Sequence, residues 1–343
     1  MCLLRFRVNP GHPSVLRETL RIGASHPMTR CLWQICAPVV LMAACCTGQF
    51  SRAQSLSPRA YVVAPIHTNA VTLTYSFQDG NVVFDPTFPI SNTSGRISSP
   101  IASYVHTMSF FKRSANINVT QPYSIGHFKA QVNGQDLKVY RSGLGATAAR
   151  VSVNLFGAPA MDPQKFSKWR QRTLIGVSLL VQTQTGQYDP ARLINIGNNR
   201  WAFKPEIGVS QRWRHWVLDA YGAVWFFTAN NNYFNNSSNS QGPNRQTENP
   251  MGATELHLSY DVKPRLWLSI DGNYWYGGET SVNGVPTPTT LQASSRLGAT
   301  ASVPVSKHQS LKFSYSDGYY VRFGGAFQNI SAAWQYSWLG RPN

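Results

Sequence analysis

His257, Ser259 and Asp261 occupy alternate positions of the stretch LHLSYDVK, so an extended chain places all three on one face. A hydroxyl, an imidazole and a carboxylate are the ingredients of a hydrolase. Nucleophilic catalysis requires the serine oxygen within about 3 Å of the imidazole, whereas same-face neighbours on one strand sit about 7 Å apart. The trio is therefore a weak triad, and a membrane hydrolase is the third of three functional readings. The histidines after residue 53 (His67, His106, His127, His215, His257 and His308) form no tight cluster with carboxylates, so no metal is expected. Gly143-Leu144-Gly145 is a lone GxG with no clear helix after it, which reads as a turn rather than a nucleotide loop. No cofactor is implied.

Ionisable residues on the polar side of alternating segments are better candidates. They are Lys204, Glu206, Asp219, Glu255, His257, Asp261, Asp271, Arg296 and Lys312. Charges that line the inside of a barrel set solute selectivity. The plainer alternative is structural: Glu255, Asp271, Arg296 and Lys312 pair with one another across a plugged lumen.

The elements that must position these residues are strands. Apolar side chains recur at Leu256, Leu258, Tyr260 and Val262, and after Lys263-Pro264-Arg265 again at Leu266, Leu268, Ile270, Tyr274 and Tyr276. The positions between them are mostly polar. Twelve such segments lie near 70–78, 101–111, 114–123, 147–156, 172–184, 200–213, 215–228, 251–262, 265–277, 290–303, 308–317 and 327–338. The seventh is bulky on both sides, which leaves its facing open. Short basic joints (Lys112-Arg113, Arg214-His215, Lys263–Arg265, Pro304–Lys307) alternate with long polar loops at 79–100, 124–146, 185–199, 229–250, 278–289 and 318–326. The exception on the short side is 157–171. There PAMDPQKFSKWRQR (159–172) is the best helix candidate, expected to pack Phe166 and Trp169 against a barrel floor.

Strands of about ten residues, with one short-turn end and one long-loop end, are the signature of an outer-membrane barrel. The expected fold is all-β: a closed antiparallel up-and-down transmembrane β-barrel of about twelve strands, within a range of about ten to fourteen. Only closure satisfies every strand N–H and C=O in lipid. The polar face carries Ser, Thr, Asn, Gln and Gly rather than the Lys and Glu of a wetted sandwich face. Aromatics near strand ends (Tyr274, Trp275, Tyr276, Trp334, Tyr336 and Trp338) are expected in interfacial girdles. Loops 79–100, 124–146 and 229–250 would form the outer mouth.

Composition agrees. Charged residues are 13% of the 343, well under the usual quarter, while aromatics reach 12%. Residues 31–46 form an apolar run of signal-peptide length after Arg30, and Ser51-Arg52-Ala53 supplies small residues for cleavage. The expected division is a removed segment, 1–53, and a barrel, 54–343. Met28 is an alternative start, and Met42-Ala43-Ala44-Cys45 resembles a lipobox. All five cysteines precede residue 54, so the mature chain has no disulfide, thiolate metal site or cysteine nucleophile. Six Arg and one Glu lie in the removed segment, so the net +17 becomes +12. The basic residues sit in joints between strands, which disfavours nucleic acid.

Several stretches resemble a bacterial outer-membrane family named for the MetA-pathway of phenol degradation. They are RAYVVAPIHTN (59–69), SANINVTQPY (114–123), VNLFGAPAM (153–161), TGQYDPARLINIGNNRWAFKPEIGVS (185–210) and SSRLGATASVPV (294–305). The most specific parts are Gly186–Asp189, Asn195–Trp201 and Lys204-Pro205-Glu206. The chain departs at His67, where Gly is expected, and at Gln184, where Pro is expected. The resemblance implies an outer-membrane barrel in contact with lipid, folded by the barrel-assembly machinery. It also implies a channel or transporter for small hydrophobic or aromatic solutes, and it supplies no catalytic residues. The second reading is a structural or adhesive barrel with a blocked lumen.

Overall fold

The computed structural model describes residues 56–83, 90–132, 134–192, 194–234 and 243–340. The expected cleavage site and the segment before it lie outside the described residues. The strands are β1 (Thr68–Val83), β2 (Ile90–Phe110), β3 (Arg113–Val132), β4 (Gln135–Leu144), β5 (Ala148–Phe156), β6 (Thr173–Gln182), β7 (Ala202–Trp213), β8 (Trp216–Phe227), β9 (Asn230–Tyr233), β10 (Asn244–Glu248), β11 (Met251–Lys263), β12 (Leu266–Gly277), β13 (Thr280–Val282), β14 (Val285–Thr287), β15 (Gln292–Pro304), β16 (Gln309–Val321) and β17 (Gly324–Leu339). A short helix, α1 (Pro163–Lys168), sits between β5 and β6.

Twelve of these strands close into one antiparallel barrel. Closure is made by β1, which pairs with β2 on one side and with β17 on the other, from Thr68↔Leu339 to Val83↔Gly324. The long β3 serves two partners. Its lower half pairs with β5, Ala115↔Val153 to Thr120↔Ala148, and its upper half pairs with β4, Tyr123↔Leu144 to Val132↔Gln135. Thus β4 is a hairpin extension above the barrel wall rather than a thirteenth stave.

Period two decides which side each residue takes. On β11, Glu255, His257 and Ser259 are buried while Leu256, Leu258 and Tyr260 are exposed. On β12, Ser269, Asp271 and Asn273 are buried while Leu268, Ile270 and Tyr274 are exposed. Large apolar side chains turned outward around a closed sheet are what a lipid-facing surface requires. The open facing of β8 is resolved the same way: Val217, Asp219, Tyr221 and Trp225 point inward, and Trp216, Leu218, Val224 and Phe226 point outward.

The short joints turn tightly. Phe111, Lys112, Arg214 and Arg265 have φ between 47° and 69°, as two-residue hairpins demand. Phe166 within α1 and Trp169 at its C-terminal end pack on Val63, Ala158, Met161 and Leu174, as expected for a cap over the floor.

Three expectations need correction. The loops at 79–100 and 124–146 are largely strand, because β1 to β4 continue past the membrane-length core as paired ribbons. The loops at 229–250 and 278–289 contribute β9, β10, β13 and β14 to a separate four-stranded sheet. Finally, Trp275 is not a girdle residue. It is 2% exposed, faces inward with Trp225, Met251 and Ala202, and donates its indole N–H to Gln292 at 2.9 Å. Tyr274, Tyr276, Trp334 and Tyr336 do face outward, and the rings of Trp334, Tyr336 and Trp338 stack in series.

Candidate functional site: the barrel interior

Residues 56–67 form no strand and run into the barrel. At the short-turn end, Ile66 N–H donates to Met161 O, His67 N–H to Thr107 O and Gly340 N–H to His67 O, at 2.7–2.9 Å. His67 adopts φ 62°, a left-handed conformation that costs a side-chain-bearing residue and suits glycine. That accounts for the glycine expected at this position. Farther in, the Tyr61 ring lies over Gly176 and Gly208, which face each other across β6 and β7. A Cβ at either glycine would overlap the ring. The Tyr61 hydroxyl reaches Glu206 Oε1 at 3.0 Å and Ser178 Oγ at 3.3 Å. Ala60 N–H donates to the Tyr221 hydroxyl at 3.0 Å. Arg59 reaches back toward the short-turn end, where Asp261 stands two residues before the end of β11. Its guanidinium donates to Asp261 at 2.6 Å, its backbone N–H to Asp219 at 3.2 Å, and it lies over the Trp267 ring at 4.5 Å.

A ladder of charges crosses the interior beside this segment. Arg150 on β5 donates to Glu206 on β7 at 2.6 Å, and Lys204 joins Glu206 to Glu255 on β11 at 2.9 and 3.1 Å. His257 stands 3.4 Å from Glu255 through Nε2 and 2.8 Å from Asp271 on β12 through Nδ1. Thr300 on β15 closes the run by donating to Asp271 at 2.7 Å. Each ion of this ladder thus meets an opposite charge, the condition for tolerating charge away from bulk water.

All nine predicted residues lie on interior faces. The pairing expected among Glu255, Asp271, Arg296 and Lys312 does not form. Glu255 takes Lys204 and His257, Asp271 takes His257 and Thr300, and Arg296 donates to Ser316 Oγ at 3.0 Å. The sequence places residues on a face but does not show which strand-to-strand register brings them level. The triad fails on geometry as well. His257 addresses two carboxylates on its flanks, Asp261 binds Arg59 and Arg212, and Ser259 Oγ has no hydrogen-bond partner among the described residues. Sequence reasoning missed Arg59, Tyr61 and Arg150. The available signal for the first two was RAYVVAPIHTN, which matched the family yet carried no strand pattern.

Toward the loop end, a cavity of about 380 Å³ lies between the tip of the N-terminal segment (Leu56, Ser57) and the walls from β1–β3 and β15–β17, with Ile196 from the 183–201 loop. That loop holds the most specific family residues. Gly197 N–H donates to Gln187 O at 2.8 Å, Gly186 and Gly197 approach with no room for a Cβ, and Asn195 bonds the backbone of Asp189 in both directions. Tyr188 ties the loop to Asn230 and Asn232, and burial pushes its phenol above the ordinary value. Arg200 forms a buried ion pair with Glu248 and lies over the Phe227 ring at 4.6 Å.

Together these features define a closed twelve-stranded barrel of the outer-membrane type with a chain segment seated in its interior. The family model described as "Putative MetA-pathway of phenol degradation" matches residues 75–322, and the chain belongs to that family. The crystal structure of an outer membrane channel from Pseudomonas putida F1 is similar at a TM-score of 0.70 and 14% identity, covering 83% of this chain and 100% of that one. At this identity the likeness shows the fold. The transport unit of the Escherichia coli autotransporter AIDA-I (TM-score 0.46, 8% identity, 90% and 98% covered) and the P. putida toluene transporter TodX (0.37, 8%, 82% and 92%) are looser matches. No curated protein sequence matches the chain.

Proposed function

We propose that the protein is an outer-membrane channel for small hydrophobic or aromatic solutes, with residues 56–67 as its stopper. The short turns and α1 then face the periplasm and the long loops the exterior. The observation that carries this reading is the cavity of about 380 Å³ bounded below by Leu56 and Ser57, of the size that single small molecules occupy in proteins. A solute entering from the loops would rest there, and passage would require Arg59 and Tyr61 to leave their partners. The family name and the aromatic content of the barrel support an aromatic cargo. Lys204, Glu206, Asp219, Glu255, His257, Asp261, Asp271, Arg296 and Lys312 would then line the path or hold its stopper. In this reading the mature chain begins after Ala53, the barrel-assembly machinery folds it into lipid, and it neither catalyses a reaction nor binds nucleic acid.

A second reading, a barrel of structural or adhesive role, draws on the filled lumen itself. Planar-bilayer recording and uptake by proteoliposomes distinguish the two. Ion conductance with solute entry is expected for the channel, and silence in both assays would favour the closed barrel.

A further inference from the structure

The cavity above the stopper is unbalanced in charge. Arg296 and Lys312 stand in its wall, and no carboxylate does. Arg296 is buried and bonded to Ser316, which makes it part of the wall. Lys312 differs. Its side chain is exposed to the cavity from β16, and it forms no ion pair among the described residues. Asp271 attracts it electrostatically, but the two oxygens of that carboxylate are engaged by His257 and Thr300. Through Ala333 and Thr74 the strand register brings Lys312 level with Ile101, and the cavity lining adds the hydroxyls of Thr74, Ser314 and Ser331. An ammonium group inside a protein is stabilised by a counter-charge, and the lining of this cavity holds no carboxylate to meet it directly.

We infer that this cavity is a subsite for a small monoanion with an apolar body, of which aromatic carboxylates are the fitting class. The carboxylate would sit on Lys312 and the neighbouring hydroxyls, and the ring against Ile101. This assignment rests on the channel reading and narrows it from neutral hydrophobic solutes to anionic ones.

The test is binding of three probes of equal ring size and different charge to the folded full barrel in detergent, near neutral pH: benzoate, benzamide and benzylammonium. Benzoate is expected to bind at least about tenfold more tightly than benzamide, with benzylammonium weakest, as a charge-assisted bond exceeds a neutral one. Lys312→Gln should lower benzoate affinity about tenfold and leave benzamide unchanged, and Lys312→Arg should restore most of the loss. Equal binding of benzoate and benzamide, or benzoate binding indifferent to Lys312→Gln, would overturn the inference. The wild-type probe series decides the matter even if the variants fail to fold. Conductance by the same preparation without charge preference among the probes overturns this inference alone, whereas neither conductance nor binding of any probe overturns the channel reading with it.

Discussion

The Arg59 guanidinium donates to the Asp261 carboxylate at 2.6 Å, linking a segment that belongs to no strand to the wall of β11 across 202 residues of sequence. The second oxygen of Asp261 takes Arg212, also at 2.6 Å. One carboxylate thus holds a wall cation and a stopper cation together.

Removing that carboxylate loosens the stopper. Asp261→Ala leaves Arg59 and Arg212 facing each other without a counter-charge. The link is partly open to water, at 12% and 17% side-chain exposure. The loss is therefore about 1–3 kcal/mol, the range for a charge-assisted bond. Single-channel records should show open time increased about tenfold, since 1.4 kcal/mol is a factor of ten in an equilibrium.

The paired glycines predict a steric counterpart. Gly176→Ala places a methyl group 2.3 Å from the Tyr61 ring, so the ring must leave its seat while the β6–β7 ladder persists. Conductance should rise as it does for Asp261→Ala. Tyr61→Ala should relieve the clash, so that adding Gly176→Ala to it changes conductance little.

His257 is expected to act as a structural cation rather than a catalyst. His257→Ala brings Glu255 and Asp271 into proximity without the group between them and should lower resistance to urea unfolding in detergent by about 1–3 kcal/mol. Ser259→Ala, which removes an oxygen with no partner among the described residues, should shift stability by less than about 0.5 kcal/mol. Neither variant should alter ester hydrolysis by the purified barrel, read with short and long acyl substrates. A serine-dependent activity would contradict this account.

Lipid contact makes its own prediction. Ile270 is 71% exposed in the middle of β12, and Ile270→Arg should cost about 2–4 kcal/mol of folding free energy in vesicles, the penalty for an arginine at the bilayer midplane. The adjacent Ser269 faces inward, so Ser269→Asn should fold without that depth-dependent cost. Heat-modifiable mobility on gels reports both.

These outcomes bear on how far the sequence discloses the molecule. Lipid enforces alternation on Leu256, Leu258 and Tyr260, so the twelve staves were legible wherever strands cross the membrane. Beyond the membrane nothing enforces it, and the extensions of β1 to β4 read as loops because Ser, Thr, Gly and Pro satisfy a paired ribbon in water as well as a turn. Trp275 was misread because an aromatic near a strand end suits either a girdle or an interior cluster, and only its register against Gln292 separates them. The charge ladder was visible as a set of inward residues but not as partners. The Lys204–Glu255 contact depends on where β7 and β11 stand relative to each other across β8. The stopper was hidden because residues 56–67 have no periodicity of their own; their conformation is dictated by the wall they meet.

The most direct measurement is single-channel conductance in planar bilayers of the mature chain and of a chain lacking residues 54–65. The account predicts brief, small openings for the former and steady, several-fold larger conductance for the latter, with both proteins equally folded by heat-modifiability. Equal conductance from the two, or silence from the shortened barrel, would contradict it.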